Sequence, residues 1–211
     1  MVSKSIKVAL PQEDPVAPIV QETHGTWMAM TQSGRFAVLT NFREDPKLIS
    51  PKALSRGLLV RDFVVGQSSP CEYIHLVKEA QDQYNGFNLV VGELHGEAFV
   101  FGNRSDEREP IRLQDNVVYG LSNGAFVGSS GTESWQKVSR GKMLSQEAID
   151  ASRSRDELHT RLMALLQDRH TCSDSELPPN MFNYDLEKRL APICIDRERS
   201  YDGDYGTTQS F

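Results

Sequence analysis

Short apolar runs alternate with helically spaced apolar stripes along this 211-residue chain, and their order predicts a domain of mixed α and β structure. Residues 1–24 are mixed, carry Pro11, Pro15 and Pro18, and promise little regular structure. From Gly25 the pattern sharpens. The runs Thr26–Met30 and Arg35–Thr40 surround the polar Thr31-Gln32-Ser33-Gly34, a hairpin signal. Near-continuous apolarity over Phe36–Leu39 predicts a strand buried on both faces. Leu54, Leu58, Leu59 and Phe63 favour helix across 51–65. Ser68-Ser69-Pro70 then opens a second helix, because Ser accepts from the unpaired first amides and Pro is tolerated in the first turn. Its buried face is Tyr73, Ile74, Val77, Ala80 and Tyr84, with Asn85-Gly86 as a left-handed cap.

Phe87–Glu93 and Glu97–Phe101 flank Leu94-His95-Gly96 as a second hairpin, and short strands are expected at Ile111–Leu113 and Val117–Leu121. After Trp135 the pattern turns helical. Ser154 through Glu157 spell a capping box, and Leu158, Leu162, Leu165 and Leu166 form the expected buried stripe. Residues 167–188 are polar, contain prolines and read as the longest loop, with a short strand at Ile193–Ile195. Tyr205–Phe211 alternates like a strand but has no turn signal after it, and so reads as a strand that stops partway.

Composition narrows the picture. The chain is 38% apolar and 25% charged, as a folded domain is. Its net charge of −6 and its lack of any basic stripe argue against nucleic acid as a partner. Cys71, Cys172 and Cys194 are odd in number and far apart, which fits neither a disulfide framework nor a zinc site, so no metal is assigned. The opening residues lack a signal-type apolar core, and no eighteen apolar residues run together. A soluble, intracellular domain without a membrane span is expected, cytosolic or in an organelle matrix.

Candidate chemistry is sparse. Asn41-Phe42-Arg43-Glu44 follows a predicted strand, and Asn123-Gly124 follows another, positions where polar side chains line clefts. Asn41 and Asn123 would donate to a carbonyl or oxyanion, and Arg43 would offer a planar fork to a carboxylate or phosphate. The alternative is that both asparagines only shape turns. Trp27 would place an indole beside a ligand, although a strand Trp is more often core. The five histidines form no metal-type pair, and His24, just ahead of Gly25-Thr26-Trp27, is the least bland. Cys71 falls in a helix first turn, where a thiol is activated, yet a small buried residue is the ordinary reading. No phosphate-binding glycine loop or nucleophile elbow is spelled, so no catalytic residue is assigned.

Five ordered blocks carry a more specific signal. Gly25–Trp27, Ser33–Glu44, Ser55–Phe63, Tyr84–Gly92 and Tyr119–Gly124 resemble the NRDE-domain family, also called the transport and Golgi organisation protein 2 family. Trp135–Val138 and Tyr205–Thr208 continue the match, so the resemblance covers 25–211 as one domain. It implies an α+β fold, a four-layer αββα sandwich similar to the N-terminal-nucleophile hydrolases, whose nucleophile is the first mature residue. Family members begin Met-Cys and carry Asn-Arg-Asp-Glu. Here position 2 is Val2 and that tetrad is absent, so the first strand, its nucleophile and the end of the last strand are expected to be missing.

The resemblance implies secretory transport and Golgi organisation, and the handling of haem or of acyl-CoA and lipid. A non-catalytic binding protein is therefore expected, with Trp27, Asn41, Arg43 and Asn123 around the cleft. Haem would be cargo and not a cofactor, with His24 as a single axial donor. The alternatives are an amide- or ester-cleaving hydrolase in a full-length form, and a degenerate interaction domain with unpaired sheet edges and poor solubility. Oligomeric state is left open.

Overall fold

The computed structural model describes residues 25–127, 135–177 and 184–195, together with strands at 198–200 and 203–205. The chain divides into two compact units between Val117 and Val118. Within the first unit lie strands β1 (Met28–Met30), β2 (Arg35–Asn41), β3 (Phe87–Glu93), β4 (Ala98–Gly102) and β5 (Ile111–Arg112) and helices α1 (Gly57–Val65) and α2 (Pro70–Glu79). The strands form one antiparallel sheet in sequence order. Both predicted hairpins are present. Gly34 takes φ +89 in the first turn, a conformation that other residues adopt only with strain.

Register explains the core. Ala37 faces Val91, Leu39 faces Leu89, and Leu89 faces Phe101, so one sheet face presents alternate apolar residues of three strands. That face joins Leu59, Val60, Phe63 and Val64 of α1 and Ile74 and Val77 of α2 in a single cluster. Phe63, Ile74, Phe87, Leu89 and Val91 are fully enclosed. The predicted two-sided burial of β2 is only half correct: Ala37 and Leu39 are buried, whereas Phe36 and Val38 on the opposite face are partly exposed.

The helices differ from expectation at their ends. Helix α1 begins at Gly57, not Pro51, because the Leu54 amide donates to the Gln83 carbonyl at 2.9 Å and Leu54 bridges to Tyr84. Helix α2 opens as predicted: Ser69 Oγ accepts from the Glu72 amide at 3.2 Å, and the Glu72 carboxylate accepts from the Ser69 amide at 2.9 Å. Those bonds hold the Glu72 carboxyl below the usual carboxylate range. Its end is not the left-handed Asn85-Gly86 cap. The helix stops at Glu79 and passes through a 3-10 turn at Gln81–Gln83, and Asn85-Gly86 belongs to the turn entering β3.

Arg35, at the start of β2, secures the other end of the sheet. Its guanidinium donates to Glu93 at 2.8 Å, to the Phe63 carbonyl at 3.0 Å and to the Ser68 carbonyl at 2.9 Å, and lies 4.3 Å over the Phe63 ring. A cation here complements the carbonyl end of α1, reaching Phe63 in its last turn and Ser68 just beyond it. Tyr73 donates to the Leu59 carbonyl at 2.8 Å, and burial pushes its phenol pKa up.

In the second unit α3 (Gln136–Ala151) and α4 (Arg155–Leu165) pack together, followed by α5 (Tyr184–Leu190) and a β6–β7 pair (Glu198–Ser200, Gly203–Tyr205). Ser154 caps α4 as predicted, but the Glu157 carboxylate accepts from Arg153 at 2.8 Å and thereby ties down the linker. The expected leucine stripe is not buried: Leu158, Leu162 and Leu165 are half-buried and Leu166 is exposed. No strand forms over Val117–Leu121 or Ile193–Ile195, and α5 occupies the end of the predicted long loop. The first of those segments instead packs on α3, and the Cys194 amide donates to the Asp168 carbonyl at 2.8 Å. Residues 1–24 and the stretch 206–211, where a shortened strand is expected, lie outside the described residues.

Arg140 pairs with Asp168, whose carboxyl also accepts from the His170 amide at 2.9 Å. These bonds, led by Arg140, outweigh burial and hold the Asp168 pKa below its ordinary value. A depressed folded-state pKa means the stabilisation is complete above the unfolded aspartate value of about 3.9 and is lost as pH falls through the lower folded value. Asp168→Asn is expected to lower stability near neutrality and to flatten the acid side of the stability curve. Melts from about pH 5 down to about pH 2 check this, since the two proteins should converge at the acid end.

Candidate functional site

Within the first unit the loop between β2 and α1 forms one wall of a cleft of about 470 Å³. Gly25, Thr26 and Trp27 line the facing side, with Ile49–Pro51, Ala53–Gly57 and Asn85 completing it. The volume lies inside the range of about 300–1,000 Å³ typical of small-molecule sites. Two glycines set the closest approach of the walls. A Cβ on Gly25 would lie 3.0 Å from the Gly57 carbonyl carbon, and one on Gly57 would lie 3.0 Å from the Thr26 nitrogen. The Thr26 amide donates to the Gly57 carbonyl across this contact at 3.3 Å.

The outer wall is held by the turn that precedes β3. Ser50 and Asn85 exchange two bonds, from the Ser50 amide to Asn85 Oδ1 at 2.8 Å and from Asn85 Nδ2 to the Ser50 carbonyl at 3.0 Å. The Gly86 amide donates to Glu44 at 2.6 Å, and the Gly86 carbonyl accepts from the Phe42 amide at 2.9 Å and from Arg56 Nη1 at 2.7 Å. Glu44 also pairs with Arg104 at 2.9 Å. Behind the turn, buried Asn103 accepts from the Phe87 amide at 2.8 Å. Its Nδ2 reaches the carbonyls of Gln81, Tyr84 and Asn85 at 3.2, 3.3 and 3.4 Å. The turn is thus tied to the rest of the first unit by hydrogen bonds from both sides.

Apolar lining comes from Trp27, Ile49 and Leu54, which are 51%, 50% and 46% exposed. Trp27 is therefore not core; its carbonyl accepts from the Leu39 amide at 2.8 Å, which extends the β1–β2 pairing and leaves the indole at the surface. Among the lining residues the one charged side chain is Arg56. Burial lowers its pKa and the nearby Glu44 charge raises it again, and a guanidinium remains cationic under both influences.

The other sequence candidates sit elsewhere. Asn41 ends β2 opposite Phe87, and Arg43 follows in the half-buried segment leading to Glu44; neither lines the cleft. Asn123 belongs to the second unit, where the Tyr119–Gly124 block leans on α3. There a Cβ on Gly120 would meet Val138 at 2.6 Å, and one on Gly124 would meet Trp135 Nε1 at 2.7 Å. His24 lies outside the described residues. Cys71 is half-buried against the core, with its Sγ 3.9 Å from His75 Nδ1. Arg56, Ser50 and Asn85 escaped the sequence reading. The Ser55-Arg56-Gly57 block was one available signal, and the chain pairing that brings 50 beside 85 leaves none.

Asn103→Ala is expected to cost about 2–3 kcal/mol, because it strands buried backbone groups around the turn. Urea unfolding measures it, and a change within about 0.5 kcal/mol would show that the turn holds itself. Asn103→Asp, which places a carboxylate against three carbonyls, should be at least as damaging at neutral pH.

Comparison with known proteins bears out the family resemblance. The profile of the Transport and Golgi organisation 2 family matches residues 10–211. The chain is 34% identical over 195 residues to a Transport and Golgi organization protein 2 homolog of Bos taurus, covering 88% of this chain and 66% of that protein. The Homo sapiens homolog is 31% identical, with 73% and 53% covered, and the Mus musculus homolog 29%, with 80% and 59% covered. The chain thus spans just under two thirds of the length of the first of these relatives, and less of the others. A whole-chain match of this extent establishes that the protein belongs to the Transport and Golgi organisation 2 family.

Proposed function

We propose that this chain is a non-catalytic binding protein that carries a small, largely apolar cargo in the Trp27–Arg56 cleft. The observation that supports this most directly is an exposed indole beside two exposed aliphatic side chains in a recess whose walls are already hydrogen-bonded in place. Preformed apolar walls with a few polar groups are what a small-molecule site requires. Long-chain acyl-CoA, other lipid, or haem is the cargo class proposed. The role follows the relatives' printed names, transport and Golgi organisation, in a cytoplasmic setting with Golgi or mitochondrial association. Among the described residues no helix is long and apolar enough to cross a membrane.

Two readings from the resemblance accompany this one. The first is that the sheet and helices belong to an αββα arrangement of the N-terminal-nucleophile type. The second keeps Asn41 and Arg43 within the first unit, and Asn123 within the second, as candidate polar ligand contacts, with His24 as a haem donor. Of the two cargoes, the cleft favours lipid. No described lining residue is a His, Cys, Met or Tyr, the side chains that hold haem iron.

Titration with a long-chain acyl-CoA and, separately, with haem tests the proposal. Saturable binding of the acyl-CoA is expected, weakened about tenfold by Trp27→Ala, a loss of about 1.4 kcal/mol. Failure of both ligands to saturate would reject the carrier role.

A further inference from the structure

Charge in the cleft points to a narrower ligand class, on the reading that the cleft is a binding site. Among the described residues the lining holds a single cation and no carboxylate. Arg56 is anchored by one arm: Nη1 donates to the Gly86 carbonyl, and no hydrogen bond joins its Nε or Nη2 to a described residue. That fixed arm sets the position of the guanidinium while its second edge, the side-on pair of N–H groups, stays available. Glu44, the nearest acidic influence, is already engaged by the Gly86 amide and Arg104 and does not line the cleft.

We propose that Arg56 makes the cleft selective for single-chain amphiphiles ending in a carboxylate, with the chain against Trp27, Ile49 and Leu54. The side-on edge of a guanidinium matches the two oxygens of a carboxylate, and one positive charge balances one negative charge. A phosphate monoester, at about −1.5 to −2, would leave charge unbalanced, with no second cation among the described lining residues. A neutral alcohol of equal length forfeits the ion pair, and an alkylammonium meets like charge. An acyl-CoA presents a neutral thioester in place of the carboxylate, so its acyl chain would occupy the cleft without the ion pair and bind more weakly than the free acid.

The test uses the 211-residue chain and isothermal titration at neutral pH with four twelve-carbon probes: dodecanoate, dodecanol, dodecyl phosphate and dodecyltrimethylammonium. Dodecanoate should bind at least tenfold more tightly than dodecanol and no more weakly than the phosphate, and the ammonium should bind most weakly. Arg56→Gln should bring the ratio of dodecanoate to dodecanol affinity from at least tenfold down to about one. Arg56→Lys, which keeps the charge without the fork, should fall between. Equal affinity of the native chain for dodecanoate and dodecanol overturns the charge selectivity and leaves the carrier role standing. Preference retained in Arg56→Gln or undiminished in Arg56→Lys also overturns it. No binding of any probe overturns both.

Discussion

The cleft depends on a buried carboxamide. Asn103 holds the turn from Gln81 to Phe87 by accepting the buried Phe87 amide, which would otherwise lack this partner, and by facing three half-buried backbone carbonyls. Everything on the other side of that turn is attached to it. Gln83 receives Leu54, Asn85 clasps Ser50, and Gly86 joins Phe42, Glu44 and Arg56. A wall that would otherwise be a free surface loop is therefore set before any ligand arrives. Ordering costs that a mobile loop would incur on binding are met during folding.

Close backbone approach explains several of the blocks that mark the family. Gly25 and Gly57 touch where the two sides of the cleft converge, and Gly120 and Gly124 lie against Val138 and the Trp135 indole. A methyl group at any of the four would force a neighbour aside. Two of these contacts join blocks far apart in sequence, Gly25–Trp27 with Ser55–Phe63, and Tyr119–Gly124 with Trp135–Val138. The blocks thus record packing as much as chemistry. Family membership and a described cleft are compatible with a cargo role, and the polar geometry around Arg56 bears on which cargo.

Strands and hairpins of the first unit were legible because their signals are local. Alternation over Phe87–Phe101 and the Ser33-Gly34 turn each determine a strand pair within a few residues. The start of α2 was legible for the same reason, since a Ser cap, a Pro and a Glu three positions on act within one turn. Misses occurred where distant residues decide. Leu54 has helical spacing with Leu58, yet Gln83 and Tyr84 recruit it into the wall. Val117–Leu121 has strand composition but no described strand pairs with it, and the leucines of α4 follow a helical stripe that stays only half-buried.

By itself the sequence determined the family, the two hairpins of the sheet, the capped helix and the absence of a spelled catalytic motif, because periodicity, caps and ordered blocks are written in neighbouring residues. Only tertiary structure decided where the cleft lies and what lines it. Trp27 is half-exposed because its backbone, not its indole, joins the sheet. Arg56 stands in the lining because Gly86, thirty positions away, holds one of its arms. Asn41 and Arg43, candidates by their position after a strand, do not line this cleft. A strand end specifies a direction, whereas a cleft requires two segments to meet, and that meeting is set by hydrogen bonds between residues that no local pattern relates.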